Sequence, residues 1–239
     1  MSTGECCYTG RRGDVMRIVS FNIQHGRGPL GGVDTAGLAR YCAGVGADVL
    51  GLQEVDVGVR RSGGVDQGAA VALATGLTPA FGRACRVGFR GSYGNALLVR
   101  GAVQDVEVLI LPRVARHERR AAVVARAEVG EQELSVAVAH LSVDPVESAR
   151  QLQAVVVALG DRPLPRVLLG DFNLVATDVA EILDAAGLCL ADPAAPTFPA
   201  SAPRARIDHV AVAGMGVRSV QVLGPAPVSD HRPLVVDVS

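Results

Sequence analysis

The chain has 239 residues, 49% of them hydrophobic, and a formal net charge of -1 at pH 7. That length suits one large domain or at most two small ones, and the apolar content excludes a disordered chain. The near-neutral charge gives no overall pull toward nucleic acid or an anionic membrane, and no apolar run approaches the roughly 20 residues of a membrane span. All 23 basic residues are arginine. Arginine matches phosphate well, but a genome-wide coding preference explains every one of them equally, so the total carries no functional weight.

Residues 1–15, MSTGECCYTGRRGDV, hold arginines but no apolar leader segment, and read as a disordered tail before a single domain over 16–239. The five cysteines (Cys6, Cys7, Cys42, Cys85, Cys189) form no C-x-x-C pair and read as reduced thiols. Together these features point to a cytoplasmic protein. Periodicity then predicts, in chain order, a strand at 16–23, a helix at 34–46, a strand at 48–55 and a helix at 66–76. Consecutive strands follow at 93–100, 104–111, 120–129 and 132–141. The helix at 145–159 is the clearest, with Val146, Ala149, Leu152, Val156 and Leu159 on one stripe, Asp144 as cap and Pro145 at the first helical position. After a strand at 165–170 comes a helix at 178–187, capped by Thr177 or Asp178 and stopped by Gly187. The Pro/Ala-rich stretch 193–205 is a loop, and strands at 206–213, 217–223 and 233–238 close the chain. Early alternation and a middle run of strands argue for mixed sheets with helices outside.

Polar groups gather at the strand ends. They are Asn22 in VSFNIQHG, Gln53 and Glu54 in VLGLQEVD, Tyr93 and Asn95 in SYGNALLV, and His140 in SVAVAHLS. Asp171 and Asn173 follow in LLGDFN, then Asp208 and His209 in RIDHVAV, and Asp230 and His231 in VSDHRPL. Singly, each is ordinary: an Asn after a strand is usually a turn residue, and a histidine among apolar neighbours is usually a satisfied core residue. Together they need a common explanation, because carboxylates at buried strand ends resist desolvation unless paired or bound to a cation. The hard oxygen donors suit Mg²⁺ or Mn²⁺, while His140, His209 and His231 keep a zinc reading open without an H-E-x-x-H or cysteine cluster to support it. A divalent ion beside an Asp-His pair points to metal-assisted hydrolysis of a phosphoester.

The ordered series SFN, QE, YGNA, AHL, GDFN, IDH and SDH resembles the endonuclease/exonuclease/phosphatase superfamily from about Met16 to the C-terminus. The resemblance implies an α/β fold: a four-layer α/β sandwich of two mixed, mostly antiparallel β-sheets flanked by helices, as in DNase-like proteins. It implies Glu54 as principal metal ligand for Mg²⁺ (or Mn²⁺), with Asn22 beside it and Asp230 at the metal or a second metal position. Asp171 would orient or deprotonate the attacking water, and Asn173 would hold the phosphate or the nucleophile. His231 would stabilise the phosphoryl group, with Asp208 fixing its tautomer, and His140 would bind the scissile phosphate or help the leaving group. Tyr93, Asn95, Arg120 and Arg61 would contact substrate. Against that, Tyr93 reads equally as a strand residue, Arg120 as a structural ion pair with Glu118, and Arg61 as a solvated side chain. His209 stands where the family often has an aromatic and reads as a packing neighbour.

The substrate is less legible. Short loops, no tryptophan and 3% aromatic residues leave few stacking platforms. The expectation is a compact intracellular phosphodiesterase or phosphatase acting on a phosphoester, a small molecule or a nucleic acid. No membrane and no obligate protein partner is indicated. A DNA endonuclease or exonuclease is the near alternative, and a non-catalytic binding module on the same fold is an alternative of another class.

Overall fold

The computed structural model describes residues 15–29, 31–192 and 195–239. Apart from Val15, the expected tail lies outside them, as do Cys6 and Cys7. The elements are β1 (Met16–Asn22), α1 (Thr35–Val45), β2 (Val49–Val57), α2 (Gln67–Thr75), β3 (Thr78–Val87), β4 (Gly91–Val99), β5 (Gly101–Ile110) and β6 (Ala121–Val129). They continue with β7 (Gln132–His140), α3 (Pro145–Gly160), β8 (Arg166–Asp171), α4 (Ala176–Ala185), β9 (Cys189–Leu190), β10 (Asp208–Ala213), β11 (Val217–Val222) and β12 (Leu234–Val238).

The apolar runs supply both faces of each sheet, because successive strand side chains point to opposite sides. Along β1, Ile18 enters one core while Val19 and Phe21 enter another; along β8, Val167 and Leu169 face one way and Leu168 the other. Three apolar layers result. A central one (Ile18, Val49, Leu97, Val138, Leu169, Val210) lies between the sheets. An outer one packs α1 and α2 on the first sheet through Leu38 and Val71, and the third packs α3 and α4 on the second through Leu152 and Leu183. The sheet orders are β11-β12-β1-β2-β4-β3 and β5-β6-β7-β8-β10-β9. Only β1–β2 and β7–β8 are parallel, so this is the four-layer, mostly antiparallel sandwich expected. A fully buried Leu or Val contributes roughly 1.5–3 kcal/mol, and dozens of them offset the cost of a polar row at one sheet edge.

Four expectations change. β3 and β9 were not foreseen: β3 is an edge strand whose Pro79 and Gly82 are tolerated because only β4 pairs with it. α4 begins two residues early, so Thr177 and Asp178 lie inside its first turn and its N-cap is Val175, without a side-chain cap. α3 is rotated from the apolar stripe. Val146 is exposed, whereas Glu147, Ser148 and Gln151 are buried because they bond loop backbone and side chains: Ser148 Oγ to Phe172 O, Gln151 Nε2 to Pro112 O. Cys42 and Cys85 are free, but Cys189 is disulfide-bonded, which removes the cysteine ground for assuming a reducing compartment. Among the described residues no helix is long and apolar enough to cross a membrane.

Candidate active site

Strand register assembles the site. His140 of β7 is the Cα partner of Asp171 on β8, and Asp171 is the partner of Asp208 on β10. Partners across neighbouring strands share a face, so three strand ends deliver a His-Asp-Asp row. Gly170 is needed just before Asp171: its φ is 153° and a Cβ there would lie 1.9 Å from Ala139 O. On the facing sheet, Asn22 ends β1 and its Nδ2 donates to Asp171 Oδ2 at 2.9 Å and to Glu54 Oε1 at 3.2 Å. Its own oxygen accepts the Gln24 N–H at 3.0 Å. The amide is therefore forced to present its NH₂ to the two carboxylates. Asn22 was expected to offer oxygen to a metal; here it links Glu54 to Asp171.

Glu54 does not end its strand but sits on a bulge within β2, where the register shifts between Leu52 and Val55 and its φ is 61°. The left-handed backbone of a non-glycine residue costs about 1–3 kcal/mol and usually marks a constrained functional position. Asn173, φ 51°, is another such residue; its N–H bonds Asp171 Oδ1 at 3.0 Å and its Nδ2 bonds Leu141 O. Asp230, half-buried, accepts from Gln24 Nε2 at 2.9 Å.

The two candidate histidines take opposite charge states. Arg120 Nη1 lies 3.0 Å from His140 Nδ1. Arginine only donates, so Nδ1 accepts and the ring proton sits on Nε2, 3.5 Å from Asp171 Oδ2. Burial and the Arg120 charge lower His140 to about 3, leaving it neutral. Burial would lower His231 as well, but the charge and 2.9 Å hydrogen bond of Asp208, with Asp171 and Asp230 nearby, carry it up to about 10. His231 is thus an imidazolium whose Nε2–H faces Asp171 at 3.7 Å. Phe198 covers its ring at 4.8 Å between centroids.

The Endonuclease/Exonuclease/phosphatase family profile matches residues 19–231. The chain belongs to that family. Its members are phosphoesterases, generally dependent on a divalent metal. An endonuclease/exonuclease/phosphatase from Beutenbergia cavernae superposes with a TM-score of 0.78 at 24% identity, over 94% of this chain and 71% of that one. The Bacteroides thetaiotaomicron mannosyl-6-phosphatase gives 0.72 at 18% identity, over 94% and 99%. D. rerio TDP2 complexed with a single-strand DNA product gives 0.70 at 20% identity, over 95% and 100%. These likenesses establish the shared fold. No curated protein matches the chain in sequence.

In this endonuclease/exonuclease/phosphatase chain the polar row floors an open cleft of ≈ 520 Å³ reached by Glu54, Arg61, Tyr93, Arg120, His140, Asp171, Asn173, Asp230 and His231. Asn95 is not on that wall. It is buried, and its Nδ2 bonds Ala121 O, a strut from the first sheet to the second. Asp208 is also buried, behind His231. Arg61 lines the cleft but spends its fork on Asp56 at 2.8 Å and lies 5.5 Å over the Tyr93 ring. Arg120 lines the cleft, pairs with Glu118 at 3.3 Å as the ion-pair reading expected, and also holds His140. His209 is a core residue, bonded to Leu174 O and stacked on Phe172. Cleft residues not foreseen are Cys85, Val87, Val143, Phe198 and Ile207, which make part of the wall apolar. Phe198 alone carried a signal, as the one aromatic in the Pro/Ala-rich loop.

Glu54 and Asp230 are two cleft carboxylates whose oxygens could hold a metal. Burial raises Asp230, and the charge of Glu54 raises it further, against the pull of His231. Such mutual repulsion is what a hard cation between oxygen donors relieves, so the residues fit one. Asp171, Asp208 and His231 also bring donor atoms within 4.8 Å of one another. His231, however, holds its proton against Asp208 and acts there as a donor.

Proposed function

We propose that this chain is a Mg²⁺- or Mn²⁺-dependent phosphoester hydrolase, a phosphodiesterase or phosphatase. The observation that carries the reading is the Asp171 carboxylate, set among Asn22, neutral His140 and cationic His231, next to the Glu54–Asp230 pair. Glu54 and Asp230 would hold the cation, which when bound supplies positive charge at a phosphoryl oxygen and acidifies water. Zinc is disfavoured, because His140, His209 and His231 commit ring nitrogens to Arg120, Leu174 O and Asp208.

Asp171 takes the proton of the attacking water. Burial and the nearby Asp208 charge raise it to about 7, against His231, Asn22 and the Asn173 N–H, so it exchanges a proton near neutrality. His231 offers Nε2–H to the phosphoryl oxygens, with Asp208 keeping the ring charged and oriented. Neutral His140 offers Nε2–H to an oxygen of the same phosphate, its tautomer set by Arg120. The water oxygen bonds to phosphorus as the bond to the leaving oxygen breaks; Asp171 keeps the proton of the water, and the leaving oxygen takes one from solvent.

The exposed arginines favour a nucleic-acid substrate as a second reading. Arg60, Arg83, Arg86, Arg90, Arg113, Arg116 and Arg119 lie on three segments that also supply cleft residues, and none has a carboxylate partner among the described residues. Phe89, 85% exposed, sits in the β3–β4 turn with Arg90 5.8 Å from its ring. The test is hydrolysis of bis-p-nitrophenyl phosphate, p-nitrophenyl phosphate and single-stranded DNA in EDTA, Mg²⁺ and Mn²⁺, with Asp171→Ala alongside. Metal-dependent turnover lost in the variant is expected. Cleavage of DNA in preference to the small esters selects the second reading, and no turnover on any substrate rejects hydrolysis of these classes.

A further inference from the structure

The two acidic arms of the site are oriented by one strained turn. Gln24, His25 and Gly26 follow Asn22 and Ile23 with φ of 44°, 45° and 77°, three left-handed residues in a row of which only the last is glycine. The turn holds its shape through Gln24 N–H to Asn22 Oδ1, Gly26 N–H to Ile23 O at 2.7 Å and Asp34 N–H to Gly26 O at 2.9 Å. Its side chains reach both carboxylates. Gln24 Nε2 donates to Asp230, and His25 Nδ1, buried with no hydrogen-bond partner among the described residues, lies 3.8 Å from Glu54 Oε2.

What ties this turn to Glu54's own strand is Gln67, the first residue of α2 and 0% exposed. Its Nε2 donates to His25 O at 2.7 Å and to Thr35 Oγ1 at 3.3 Å, and its Oε1 accepts the Asp56 N–H at 3.0 Å. A carbonyl can only accept and a backbone N–H only donate, so the amide orientation is forced. Asp56 lies two residues past the Glu54 bulge and also grips Arg61 on the cleft wall. Gln67 packs so closely on the turn that a Cβ on Gly26 would sit 3.2 Å from its Nε2. One buried amide therefore spans the two places where the backbone is left-handed beside the carboxylates.

We propose that Gln67 is a positioning residue of the candidate metal centre: by locking the Gln24–Gly26 turn to the strand beyond the Glu54 bulge it sets the separation of Glu54 and Asp230. The inference rests on the reading that these two carboxylates hold a divalent cation. Gln67 itself touches neither metal nor substrate. Partners of this kind, one step removed from a ligand, change metal affinity rather than donor count.

The experiment is a calorimetric Mn²⁺ titration of the full chain, beside thermal unfolding in EDTA, for wild type, Gln67→Glu and Gly26→Ala. Gln67→Glu keeps size and the acceptor but deletes the donation to His25 O. Gly26→Ala keeps Gln67 but strains the turn against it. Both variants are expected to bind Mn²⁺ about tenfold or more weakly while still unfolding cooperatively. Wild-type affinity in a folded variant overturns the inference, leaving Gln67 as a stabilising amide only. Should Gln67→Glu fail to fold, Gly26→Ala decides alone by the same criterion. A wild-type chain that binds neither Mn²⁺ nor Mg²⁺ overturns the metal reading itself, and the inference with it.

Discussion

Glu54 and Asp171 are carboxylates of one cleft, linked by the same Asn22 amide, yet their acidities move in opposite directions. Burial works against the charge of Glu54, but the Asn22 amide that donates to it, with His25 3.8 Å away and the His231 cation nearby, brings it down to about 2. Asp171 also has donors, from Asn22 and the Asn173 N–H, and a cation in His231, yet it stands at about 7. The difference is not the number of hydrogen bonds. Asp171 is wholly buried, and the Asp208 charge lies behind it. Glu54 is therefore a permanent anion suited to a cation, while Asp171 is a group that can trade a proton at neutral pH. Environments that push two acids apart assign their roles.

The comparison breaks most completely at Asp171. Asp171→Ala removes the proton acceptor and is expected to lower kcat about 10³-fold or more, read on bis-p-nitrophenyl phosphate in Mg²⁺. Activity near wild type would mean that another group takes the proton. Next in size are Asp208→Asn and His231→Ala, each expected to cost about 10²-fold in kcat, with the double variant no worse than the weaker single one. They form one hydrogen-bonded unit; additive losses would show that they act separately. Glu54→Gln keeps size and an oxygen while removing the fixed charge, and should weaken Mn²⁺ binding by at least about tenfold in a calorimetric titration. Unchanged affinity would move the metal away from Glu54.

The side of the site built on strand ends was legible in the sequence, and the side built on strained backbone was not. His140 and Asp171 close apolar runs, Asp208 opens one and His231 stands just before the last, so a strand-by-strand reading finds them. Their register, which makes a row of them, is a property of pairing across the sheet. Glu54 was found as a residue but placed at a strand end, because a bulge that leaves a Glu at φ 61° has no sequence mark. Gln24 and His25 were passed over for the same reason. Asn22 and Asn95 show a second limit: an amide offers oxygen or NH₂ depending on neighbours brought from far along the chain, here Glu54, Asp171 and Ala121. Ser148 and Gln151 show a third. Periodicity turned the apolar Val146 inward, whereas α3 buries polar side chains that satisfy the backbone of loops beside the cleft.

The smallest effect sharpens the comparison without any substrate. Asp171 is raised from 3.8 to about 7 on folding. The folded chain then holds a proton that the unfolded chain has released across that window, so stability falls as pH rises through it. Glu54 is lowered from 4.5 to about 2, so its contribution is present above about 4.5 and lost as pH falls toward 2. His231, raised from 6.5 to about 10, stabilises fully below 6.5 and loses that contribution as pH rises through 10. Calorimetric melting in EDTA should therefore show a stability maximum in mildly acid buffer, with both limbs falling. Asp171→Asn is expected to flatten the fall between about pH 4 and 7 and to spare the acid limb, while Glu54→Gln does the reverse. A variant of Asp171 that leaves the neutral limb as steep as in wild type would show that its burial does not hold the proton, and the contrast with Glu54 would lose its physical basis.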